Sequence, residues 1–168
     1  MTLELTKFGH SCVRIADGDR RLVLDPGGFS QTDAALDGVD DVLITHEHTD
    51  HIDVERVAGA ATRNPRLRIW APAPVAALLP QLQDQIVVVA PGQQHEVAGF
   101  AVRTFGGQHA LIHPSIPVIA NVGFLVEECV YHPGDSLFVP PVPVRTLLLP
   151  IHAPWNKGAE VIDFAISV

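Results

Sequence analysis

Seven consecutive residues, Thr45-His46-Glu47-His48-Thr49-Asp50-His51, carry three imidazoles and, at Asp50, a carboxylate spaced so that a metal ion could use them. Neutral imidazole is a strong zinc ligand, and carboxylate suits a harder ion or a metal-activated water. In an extended segment side chains alternate with period two, so His46 and His48 point the same way and can share one ion. Asp50 and His51 then turn toward an adjacent position. The plain alternative is a solvated His-rich loop or a tag-like tract. A tag would sit at a terminus and would lack the flanking elements described next.

Asp41-Val42-Leu43-Ile44 reads as a short buried strand, and Val54 to Ala61 as an amphipathic helix. The cluster therefore lies where a strand ends and a helix begins, a common place for sites in α/β sheets. Four further metal-capable residues follow other strands: Asp25, His109, Asp135 and His152. Singly, each has a simpler reading. Aspartate beside Pro and Gly is a turn residue, and a lone histidine after a strand is a surface or satisfied core residue.

The rest of the chain alternates short elements. Leu3 to Phe8, Ser11 to Ala16, Arg21 to Asp25 and Arg68 to Ala71 read as strands, and Pro74 to Leu82 as a helix. From Ile86 onward the pattern is strand-like: Ile86 to Val89, His95 to Val97, Phe100 to Phe105, Val118 to Val126, Glu128 to His132 and Arg145 to Leu149. Lys157 to Val168 closes as an amphipathic helix. This order fits an α/β (α+β) fold in one domain over residues 1–168, with two packed sheets and helices outside, an αββα sandwich.

Composition narrows the partners. A net charge of −8 with 11 Lys+Arg and no basic run argues against a nucleic-acid surface. Cys12 and Cys129 form no CxxC and lie in apolar stretches, so they read as free thiols in a reducing compartment. Residues 1–7 alternate like a strand and lack a signal-peptide core, and no apolar run approaches the ~20 residues a membrane span needs. The expectation is a soluble, cytoplasmic protein acting on a small molecule, without nucleic-acid or membrane partners.

Taken in order, Asp25, His46/His48/Asp50/His51, His109 and Asp135 resemble the motifs of the metallo-β-lactamase superfamily of metal-dependent hydrolases. Phe8-Gly9-His10-Ser11, Leu24-Asp25-Pro26-Gly27, Gly106-Gly107-Gln108-His109-Ala110 and Tyr131-His132-Pro133-Gly134-Asp135-Ser136 look like one branch, single-domain proteins similar to ascorbate-6-phosphate lactonase. The resemblance runs from about Leu3 to the C-terminus. It implies a metallo-β-lactamase-like sandwich and a first zinc on His46, His48 and His109. It also implies a second ion on Asp50 and His51, with Asp135 between the two.

In that reading Asp50 is also the catalytic group that orients water and carries its proton. Asp25 supports a ligating histidine, and His10 and His132 line or brace the site. The family's last histidine follows the final helix, beyond where this sequence reads. His152 precedes that helix and is the candidate substitute. One well-formed Zn2+ site is therefore expected, beside a second that is partial, empty or completed by His152, with Mn2+ or another divalent ion as the alternative metal.

The apolar finish Phe164-Ala165-Ile166 and Val168 suggests a shortened chain, or a second copy covering the helix. The function implied is hydrolysis of a lactone, ester, amide or phosphoester by a metal-activated water. The alternatives are a metal-binding but catalytically impaired domain and a nuclease.

Overall fold

The computed structural model describes residues 2–168. Strands β1 (Glu4–Lys7), β2 (Val13–Asp17), β3 (Arg20–Leu24), β4 (Asp41–Leu43), β5 (Arg68–Ala71) and β6 (Ile86–Val88) lie side by side in that order as one sheet. Its first pairs are antiparallel and the pairs from β3 onward are parallel. The second sheet runs β11 (Thr146–Leu147), β10 (Val130–His132), β9 (Ala120–Val126), β8 (Phe100–Gln108), β7 (Gln94–Val97). Helices α1 (Thr32–Leu36), α2 (Val54–Arg63) and α3 (Ala73–Ala77) pack on the first sheet, and α4 (Gly158–Ser167) packs on the second.

The layers follow from strand alternation. Leu22, Leu24 and Leu43 face the second sheet, where they meet Phe100, Val122, Phe124 and Val126. The intervening residues face outward: Val23 packs under α1, while Val42 and Ile44 pack under α2 and α3. Tyr131 and Leu125, on the far side of the second sheet, meet Phe164 of α4. The result is the αββα arrangement expected, in which fully buried side chains such as Phe100 and Phe124 each contribute about 1.5–3 kcal/mol.

Among the elements whose bounds differ from the sequence-based expectation, two fall furthest short of it. The helix expected from Pro74 to Leu82 stops at Ala77, and a separate 3-10 segment begins at Pro80. A proline in a helix interior removes a backbone donor and clashes with the preceding turn, so Pro80 can only restart the helix. The strand expected from Arg145 to Leu149 pairs only at Thr146 and Leu147, opposite the short strand β10. On α4, Val161 and Phe164 are buried while Ile162 and Ile166 remain exposed. No helix among the described residues is long and apolar enough to cross a membrane.

Candidate metal centre

Strand register decides which residues meet. Leu24 of β3 pairs with Leu43 of the parallel β4, so the residues leaving the two strands, Asp25 and Thr45-His46, emerge side by side. In the second sheet β8 and β10 both run antiparallel to β9 and so end on the same side, delivering His109 and Asp135. A hydrogen bond from the Val122 N–H to the Thr45 carbonyl, 2.9 Å, ties the two sheet ends together. The site thus lies across the C-terminal ends of strands from both sheets.

His46, His48, His109 and Asp135 each place a ligand atom within 4.8 Å of the others. The rings of His46, His48 and His109 stand edge-on at centroid separations of 4.8–5.0 Å. His46 Nε2 lies 3.1 Å from His48 Nδ1, and His109 Nε2 lies 3.4 Å from an Asp135 oxygen. Bonds of about 2.0–2.2 Å to a tetrahedral ion separate neighbouring donors by about 3.3–3.6 Å, so these spacings fit one cation.

For His109 and His46, neighbouring groups fix which ring nitrogen is bare. His109 Nδ1 is 2.6 Å from the Ala110 carbonyl, an acceptor only, so Nδ1 carries the proton and Nε2 presents a lone pair. That Nε2 is buried without a hydrogen-bond partner. Thr45 Oγ1 donates its single proton to Asp25 at 2.7 Å, so at 3.0 Å it accepts from His46 Nδ1 and leaves His46 Nε2 bare. Burial, reinforced by the neighbouring His51, drops the His46 pKa to about 2, and burial also lowers that of His48. An unpartnered lone pair beside two neutral imidazoles and a carboxylate is a donor set that fits a divalent cation.

The adjoining group is arranged differently. His10, Asp50 and His51 also converge within 4.8 Å, and Asp25, His51 and His132 form a third, overlapping group. Asp25 is fully buried in a left-handed backbone conformation (φ 44°). It accepts from the Thr45 N–H at 2.8 Å, the Thr45 hydroxyl, His51 Nδ1 at 2.7 Å and His132 Nε2 at 2.6 Å. Burial alone would raise its pKa, but His132 and His51 hold it well below the usual carboxylate range. Burial likewise opposes charge on His51, yet Asp25 and then Asp135 raise its pKa to about 10. His51 Nε2 faces Asp135 at 3.3 Å and Asp50 at 3.9 Å. Without a cation it therefore keeps a proton.

Two glycines make these approaches feasible. A Cβ on Gly27 would lie 1.8 Å from the Asp50 carbonyl oxygen. On Gly134, which also needs φ +62°, it would meet Asn121 Oδ1 at 2.4 Å and Thr45 at 2.7 Å. Asp135 is held by its own N–H donating to Asn121 Oδ1 at 3.0 Å and by Trp155 Nε1 donating to Oδ2 at 3.2 Å. Its pKa falls despite burial because the His51 imidazole, 3.3 Å away, favours the charged carboxylate.

The structure thus brings together His46, His48, His109 and Asp135, then Asp50, His51 and His10, then Asp25 and His132. His152 joins none of these groups. It lies exposed on the wall of a cavity of about 470 Å3 that reaches His51 and Asp135 from between β1–β2 and β10–β11. Thr45 and Asn121 are supporting residues that motif reading missed, and Trp155, legible in the sequence only as a rim or packing residue, holds Asp135 directly. Only Thr45's position beside His46 could have signalled one of them.

Comparison with known proteins adds the family context. Residues 4–167 match the family described as the beta-lactamase superfamily domain. The chain is 42% identical to Protein Rv0786c of Mycobacterium tuberculosis over 99% of its own length and 79% of that protein. It is 36% identical to a UPF0173 metal-dependent hydrolase of Methylobacterium nodulans, over 98% and 79% respectively. The metallo-beta-lactamase fold protein YhfI of Bacillus subtilis superposes with a TM-score of 0.59 at 20% identity, covering 80% of this chain. The chain spans only 62% of that structure's length.

Proposed function

The chain belongs to the beta-lactamase superfamily domain family, among metal-dependent hydrolases, and from that premise we propose that it is a zinc hydrolase acting on a small lactone, ester, amide or phosphoester. The observation that carries this reading is His109 Nε2, a buried and unpartnered lone pair facing His46, His48 and Asp135. Three imidazoles with one carboxylate favour zinc over magnesium or calcium, which prefer all-oxygen sites. A second ion would take Asp50 and His51, sharing Asp135 with the first.

When bound, such ions act as Lewis acids on the scissile oxygen and make a water available as nucleophile near neutral pH. The protein residues have separate tasks. Thr45 and the Ala110 carbonyl keep the lone pairs of His46 and His109 aimed inward. Asp50 stands at the solvent edge with its side chain 27% exposed, where it can orient a water and hold its proton. The adjoining cavity offers Lys7 and Ser11 on one wall and Leu148 to Ile151 on the other, suited to a substrate with a polar end and an apolar body.

The test is a hydrolysis panel of a lactone, an ester, an amide and a bis-phosphoester. We expect turnover of at least one class, lost on chelation, restored by zinc, and absent in Asp50→Ala. Turnover that survives complete chelation would overturn the reading.

A further inference from the structure

The turn before β2 grips Asp50 at both ends. His10 Nε2 lies 3.0 Å from Asp50 Oδ2, and the Ser11 hydroxyl donates to the Asp50 carbonyl at 3.2 Å. An ionised carboxylate has no proton to give, so His10 is the donor in its pair. Oδ2 is also the Asp50 oxygen that faces His51 Nε2. His10 thus acts on the atom that the second ion would use.

The turn is built to hold that pose. His10 adopts φ +38°, a left-handed conformation that is costly for a residue with a Cβ. Its carbonyl accepts from the Lys7 ammonium. Its flanks are tied by Phe8 N–H to Cys12 O, Cys12 N–H to Gly9 O, Gln31 N–H to Phe8 O and Ser30 Oγ to Gly9 O. The partly exposed ring stands edge-on to Phe29 and His51, at centroid distances of 5.6 and 5.8 Å. Strain of this kind persists only where surrounding contacts over-determine it, and it gathers at functional sites.

We propose that His10 is a positioning residue for Asp50, donating from Nε2 to fix the carboxylate oxygen presented to the second ion. The inference rests on the two-ion reading above. Supporting partners of metal ligands typically change affinity about 10–100-fold when removed.

Stepwise zinc titration of the chain, read by calorimetry and by the visible bands of the cobalt-substituted protein, tests this. His10→Asn tolerates the left-handed backbone but is too short to reach Asp50, whereas His10→Gln keeps a donor at the longer reach. We expect His10→Asn to weaken the second ion about 10–100-fold and shift its cobalt bands, with the first ion unchanged. His10→Gln should restore most of that affinity. A second ion bound equally well by His10→Asn overturns the inference, as does a His10→Gln variant no better than His10→Asn. Uptake of a single ion by the unaltered chain overturns the two-ion reading and this inference with it.

Discussion

At His109 one donor atom stands free, a buried Nε2 with no partner, and beside it are two imidazoles held neutral by burial. Around Asp25 and His51 the same kinds of side chain are already paired, with one carboxylate accepting from two imidazoles and a threonine. The two regions touch, sharing Thr45 and Asp135, yet one is prepared for a cation and the other substitutes a proton for one. The cause lies in the immediate partners. A carbonyl beside His109 Nδ1 takes one proton and leaves the other nitrogen bare. Around His51, carboxylates on both ring nitrogens hold both protons in place.

Removing the paired region's acceptor should cost most. Asp25→Ala leaves His51, His132 and Thr45 buried without their shared partner, which in comparable buried pairs costs about 3–5 kcal/mol. Urea unfolding of the metal-free protein measures it, and a loss under about 1 kcal/mol would break the contrast. His109→Gln reverses the pattern. Its Nε2 makes no protein hydrogen bond, so metal-free stability should fall by about 1 kcal/mol or less, while first-ion affinity drops by about 100-fold or more.

The contrast also has a pH signature in the metal-free protein. His51 has a folded pKa raised from 6.5 to about 10, so its contribution is complete below pH 6.5 and lost as pH rises toward 10. His46 has a folded pKa lowered from 6.5 to about 2, so stability is lost as pH falls below 6.5. Asp25 and Asp135, both depressed below 3.8, add a further loss under that pH. Thermal melts should therefore peak near pH 6.5, and a plateau to pH 9 would contradict the paired region's assignment. The smallest effect serves as a control. Asp53 caps α2 through the Arg56 N–H at 3.0 Å, and Asp53→Ala should cost about 1 kcal/mol without altering metal affinity.

The sequence made the near-linear part of this site legible. His46, His48, Asp50 and His51 sit within six residues, and the strand and helix around them follow from local pattern. His109 and Asp135 were readable through the order of the motifs they share with the family, because their contact depends on β8 and β10 ending on the same side. Asp25 carries no local sign that it would gather two imidazoles, since His51 and His132 reach it only when β3, β4 and β10 are assembled. Trp155 and Asn121, which hold Asp135, come from separate parts of the second half and have no motif spacing. The αββα layering was legible from alternation, while Pro80 cut short a helix whose apolar pattern ran through it.

The central claim is that one region receives a cation directly and the other must first surrender a proton. Zinc titration at pH 6.0, about one unit below the pKa of a zinc-bound water, by calorimetry in two buffers of different ionisation enthalpy, measures both affinity and protons released. The account predicts a tight first event with no proton released, then a weaker second event releasing about one proton from His51. A first event that releases a proton, or two events of equal affinity with no release, would contradict it.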